Sequence, residues 1–148
     1  MISPEVLRRY PYFAGVSEES LKAVAMIADE KAVPAGTQLF SEGDPADSMN
    51  IVVHGEINVQ YVLGNGERRT VDTLVDGDIL GWSALVEPYK YTAVGTTSKD
   101  AQFVTIRAQK LRDLCDKDPL LGYRLTTQIA KLLAHRLEGA RVQLAAID

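Results

Sequence analysis

The sequence predicts a mainly β domain with flanking helices: short strands forming a sandwich or barrel, with helices before and after. Three observations predict it. Between Glu30 and Ile106 the apolar residues recur with period two, while Gly, Pro, Asn and Asp punctuate the chain roughly every eight to twelve positions. On either side the apolar spacing is that of a helix. From Asp118 towards Ile147 the helical pattern runs on without a breaker, longer than the usual helix of a globular domain.

The totals fit one domain of 148 residues, 46% hydrophobic and 24% charged, enough to bury a single core. Its expected parts are helices over 1–29, strands over 30–107 and helices over 108–148. A net charge of −4 argues against a chain that works by neutralising a nucleic-acid backbone, though not against a local phosphate site. The lone Cys115 excludes an intramolecular disulfide and fits a reducing compartment. With neither a charged-then-apolar leader nor a membrane-length apolar run, the expected location is cytoplasmic.

Ser3-Pro4-Glu5 offers a cap, a proline at the first helical position and an acid in the first turn, so Ser3 to Arg9 is a short helix. Ser17-Glu18-Glu19 starts a second, whose inner face carries Leu21, Val24, Ala25 and Ala28. Ile57, Val59 and Tyr61 alternate with Asn58 and Gln60, which predicts a strand with one buried face. Gly64-Asn65-Gly66 is a hairpin turn. Tyr91 to Thr97 and Gln102 to Arg107 read as strands, and Gln109 to Asp116 as a short helix. Asp118-Pro119 then caps the long helix. Thr126, Ala130, Leu133, Leu137, Ala140, Leu144 and Ile147 form a coiled-coil seam on it, beside a second stripe of Leu121, Leu125, Ile129 and Leu132. One stripe can dock on the strands while the other meets a second copy, so the expected partner is a homodimer through this helix.

The strand pattern is interrupted from Gly77 to Val94. Gly77 and Gly81, followed by Trp82-Ser83-Ala84-Leu85-Val86, predict a tight turn opening a one-turn helix. The first N–H groups of such a turn lack backbone acceptors and suit an anion.

In their order and spacing, Phe40-Ser41-Glu42-Gly43-Asp44, Ile51-Val52-Val53-His54-Gly55-Glu56-Ile57, Gly77-Asp78-Ile79-Leu80-Gly81 and Ala84-Leu85-Val86 resemble the cyclic nucleotide-binding domain family. The resemblance implies an eight-stranded jelly-roll barrel (a double-stranded β-helix) with N-terminal helices and a long C-terminal helix. It makes Gly77 to Val94 the phosphate-binding cassette. The family's cassette carries Phe-Gly-Glu near its start, where the Glu accepts from a ribose hydroxyl, and an Arg near its end for the cyclic phosphate. Here the Glu position holds Trp82, and the Arg position falls on Lys90 or Tyr91. Lys90 offers a charge without the forked geometry of a guanidinium. The long-helix positions that contact the base match Arg136 and Leu137.

The expected ligand-binding residues are therefore Leu80, Gly81, Trp82, Ser83, Ala84, Lys90, Tyr91, Thr92 and Arg136, with backbone donors at Gly81, Ser83 and Ala84. Two readings stay open. Either Trp82 and Tyr91 stack a planar ligand, cyclic AMP or another nucleotide, with Lys90 or Arg136 on its phosphate, or Trp82 plugs the pocket and the domain serves as a dimerisation and protein-interaction module. Neither needs a cofactor or a metal. His54 and His135 sit on a turn and on the long helix, so they do not form a cupin metal set, and no catalytic set stands out. With the sequence ending at Asp148, the expectation is a sensor acting on an unknown downstream protein, without a DNA-reading element of its own.

Overall fold

In the computed structural model, which describes residues 1–147, the chain begins with α1 (Pro4–Arg8), a 3₁₀ turn (Pro11–Phe13) and α2 (Glu18–Met26). Ser3 and Ser17 cap the two helices, accepting from the backbone N–H groups of Glu5 and Ser20. Ala28 is buried but not on α2. The helix ends at Met26, and Ala28 opens β1 (Ala28–Val33) opposite Ile106.

The remaining strands are β2 (Gln38–Phe40), β3 (Ser48–His54), β4 (Ile57–Val62), β5 (Arg68–Leu74), β6 (Ile79–Leu80), β7 (Val94–Thr97) and β8 (Ala101–Arg107). They lie in two four-stranded antiparallel sheets, ordered β1-β8-β3-β6 and β2-β7-β4-β5. Eight strands were expected and eight are present, in the two-sheet arrangement of jelly rolls. The strand ladder runs within each sheet and not around a single closed barrel. β4 and β5 form the hairpin across Gly64-Asn65-Gly66, where the Leu63 N–H donates to Glu67 at 2.7 Å. Ile57 and Val59 point inward as the alternation requires, but Tyr61 is 46% exposed, past a register shift between Val59 and Gln60.

β3 and β8 are apolar on both faces because both faces are covered. Met49, Ile51, Val104 and Ile106 join Leu7, Phe13, Leu21, Leu111, Leu121, Leu125 and Ile129 in the core beneath the helices. Val52, Ala101 and Phe103 face the other way, onto Ile57, Leu74 and Leu80 between the sheets.

The chain closes with α3 (Ala108–Lys117) and α4 (Pro119–Ala145). Asp118 accepts from the Leu121 N–H and from the Ser20 hydroxyl, tying the start of α4 to α2. Leu121, Leu125 and Ile129 of the second stripe are buried, with Leu132 partly so. On the coiled-coil seam only Leu133 packs partly against the core, while Leu137 is 54%, Leu144 70% and Ile147 72% exposed.

Candidate functional site

The Gly77–Val94 segment is pinned at its entry. The Gly77 N–H donates to Val52 at 2.7 Å, and its carbonyl accepts from the Tyr12 hydroxyl at 2.8 Å. Burial, then the nearby Asp78 carboxylate, raises the Tyr12 phenol above its ordinary value. After β6 the chain turns at Gly81, whose φ of 89° is left-handed and whose absent side chain leaves room for the Ser48 carbonyl. The expected one-turn helix follows as a 3₁₀ turn, Trp82–Leu85.

The Ala84 N–H donates to Gly81 at 3.0 Å, so one of the three expected backbone donors is engaged inside the turn. By the geometry of such a turn, the N–H groups of Trp82 and Ser83 have no acceptor within it. The Ala84 carbonyl is also held, by Arg112 of α3 at 2.6 Å, and the same guanidinium lies over the Tyr89 ring, 4.0 Å from its centre.

The return limb is not a strand from Tyr91, because its backbone pairs with the preceding turn instead. Tyr91 donates to Asp44 and accepts from Gly43, and Lys90 forms an isolated bridge with Pro45, so β7 starts only at Val94.

Between these limbs lies a cavity of about 90 Å³. Its walls are Ile79, Leu80, Gly81, Trp82 and Ser83 on the entry side, and Tyr91, Thr92 and Ala93 on the return side. Phe40, Val59, Asp72 and Leu74 line it from the second sheet, and Arg136 from α4. Tyr91 stacks on Phe40, the ring centres 3.8 Å apart and the planes 9° from parallel. Gly95 makes that position possible, since a Cβ there would meet the Phe40 ring at 2.6 Å. Burial raises the Tyr91 phenol, whose hydroxyl points at the Ser48 carbonyl, 3.4 Å away. The charged groups on the wall face each other: Arg136 pairs with Asp72 at 2.5 Å and, behind it, with Asp78 at 3.3 Å.

Seven of the nine expected residues line this cavity: Leu80, Gly81, Trp82, Ser83, Tyr91, Thr92 and Arg136. The other two do not. Ala84 is fully buried within the turn, off the cavity wall, and Lys90 is exposed on the return limb.

The sequence model of the cyclic nucleotide-binding domain matches residues 30–118. The chain belongs to the cyclic nucleotide-binding domain family.

A candidate cyclic nucleotide-binding protein of Geobacter metallireducens is similar across 93% of this chain and 99% of its own, at 35% identity and a TM-score of 0.84. The regulatory domain of Toxoplasma gondii protein kinase A, solved with cyclic AMP, is similar over 75% of this chain and 42% of its own, at 27% identity and a TM-score of 0.67. The CRP-like cAMP-activated global transcriptional regulator of Mycobacterium tuberculosis is 24% identical over 141 residues, 95% of this chain. The chain spans 61% of that regulator's length.

Every wall residue of the cavity except Arg136 falls within the matched span. Three polar contributors escaped the sequence reading. Asp72 sits on β5, Asp78 in the turn before β6 and Arg112 on α3. Asp78 falls within the Gly77–Gly81 motif, but nothing local marks any of the three as a contact, because their partners lie far along the chain. No helix among the described residues is long and apolar enough to cross a membrane.

Proposed function

We propose that this chain is a non-enzymatic regulatory sensor, binding a small phosphate-bearing ligand, a cyclic nucleotide or a relative of one, in the Gly77–Val94 cassette and relaying its presence through α4. One observation carries the reading: a single cavity touches both limbs of the cassette, the second sheet and Arg136 of α4. A ligand placed there contacts the sensing segment and the output helix together. The family's kinase and transcription-regulator relatives support the same reading. The exposed seam of α4 suits a second copy of the chain, and the signal passes to a downstream protein.

A thermal melt with and without about 1 mM cyclic AMP or cyclic GMP tests it. A ligand at about one hundred times its dissociation constant adds about 2.7 kcal/mol, a shift of several degrees for a domain of this size. No shift with any nucleotide would sink the sensor reading.

A second reading has its own support. The cavity's 90 Å³ lies well below the roughly 300 Å³ at which small-molecule pockets begin, and stacked Phe40 and Tyr91 occupy part of its wall. In that reading Trp82 and Tyr91 fill a degenerate pocket, and the chain is a dimerisation and interaction module.

A further inference from the structure

Building on the sensor reading, we infer that Asp72 and Arg136 are the polar anchors of the site and that together they select a phosphate ester bearing a free hydroxyl. The anion goes to the guanidinium and the hydroxyl donates to the carboxylate.

The cavity wall is otherwise apolar or aromatic, apart from Ser83 and Thr92, and these two side chains are its charged groups. They reach it from β5 and α4, and so complete the site from outside the cassette. In this structure they satisfy each other, with the side chains 23% and 40% exposed for Arg136 and Asp72. A ligand that bonds to both of their charged ends has to part them.

Three ligand chemistries fare differently. A neutral ligand separates the pair and gives neither partner a charge in return. A bare anion satisfies Arg136 but leaves Asp72 Oδ2 beside a like charge and without the guanidinium, only Oδ1 keeping its Thr73 N–H at 2.9 Å. A phosphate ester with a neighbouring hydroxyl replaces both halves of the broken contact, donating to one group and accepting from the other. Arg136 tolerates the exchange because its second nitrogen keeps Asp78 at 3.3 Å. Lys90, exposed and off the wall, takes no part.

The same exchange reports on occupancy. Asp72 and Arg136 join β5 to α4, so a ligand inserted between them replaces a direct tie with one that runs through itself. The change in α4 is bounded by the ligand's differential affinity for the two arrangements.

The test is calorimetry on the full chain with four probes: cyclic AMP, ribose 5-phosphate, adenosine and inorganic phosphate. Cyclic AMP and ribose 5-phosphate both carry the selected chemistry, and comparing them shows whether a base adds affinity on the Trp82 side. Asp72→Asn preserves side-chain volume, Arg136→Gln removes the charge with a shorter polar side chain, and melts of the unliganded variants confirm that they fold. The expected result is that the wild type prefers one or both hydroxyl-bearing esters over adenosine and inorganic phosphate by about tenfold or more. Each substitution then weakens the preferred ester by about 10- to 100-fold, the effect of losing a charged hydrogen bond. Asp72→Asn also narrows the margin over inorganic phosphate. If the wild type binds cyclic AMP and both variants bind it equally well, the anchors lie elsewhere and only the sensor reading survives. Inorganic phosphate binding as tightly as the esters overturns the hydroxyl half. A wild type that binds none of the probes overturns both the anchor assignment and the sensor reading.

Discussion

Gly81 shows how much of the site rests on one absent side chain. Its backbone is left-handed at φ 89°, and a Cβ would lie 2.9 Å from the Ser48 carbonyl, a backbone atom that cannot swing away. Gly81→Ala therefore combines a disfavoured conformation with a steric clash, and the expected loss is about 1–3 kcal/mol of stability. Chemical denaturation would show this as a lower midpoint; an unchanged midpoint would mean that the turn rearranges freely. The glycine was legible in the sequence as turn chemistry. The neighbour that makes it necessary was not, because Ser48 belongs to another strand. Asp72 and Arg136 carry the same lesson further: 64 positions apart, they read separately as a strand residue and a helix residue.

At the scale of elements, α4 separates its two stripes cleanly. Leu121, Leu125 and Ile129 dock on the core, while Leu137, Ala140, Leu144 and Ile147 face outward. Leu133 packs partly against the core, so substituting it would confound stability with assembly. Leu137→Glu with Leu144→Glu targets the exposed seam alone. The expected outcome is a halved solution mass by light scattering with little change in the melting temperature. A wild type already monomeric at assay concentration would refute the dimer. Both stripes were legible because helical periodicity is local. The start of β7 was not, because the backbone of the return limb pairs with the turn around Asp44 instead of continuing the sheet.

For the whole molecule, stability carries a pH signature from Cys115. Burial, with Asp116 and Asp118 nearby, pushes its thiol from 9.0 up to about 11. Between those values the unfolded chain releases the proton and the folded chain keeps it, so this residue's contribution falls as pH rises through that window. Denaturation at about pH 8 and about pH 10 should show a larger loss for the wild type than for Cys115→Ala. Equal losses would mean that the thiol ionises as freely in the fold as outside it. The mainly β class with flanking helices was legible from the change in period. How the sheets divide was not, since strand pairing is a property of distant partners.

The pairing of β1 with β8 also sets a timetable for the chain as it is made. Among the described residues β1 has no hydrogen-bonded neighbour except β8, and β3 has only the short β6 on its other side. A nascent chain therefore exposes two unpaired strand edges until Arg107 has left the ribosome, and loop closure over such a separation is slow. The N-terminal helices do not relieve this, because Leu7, Phe13 and Leu21 pack against residues of β8, α3 and α4 that are made later. Premature termination before Ala101 would leave those edges open to other chains, a route to aggregation that the finished fold closes with its last strand.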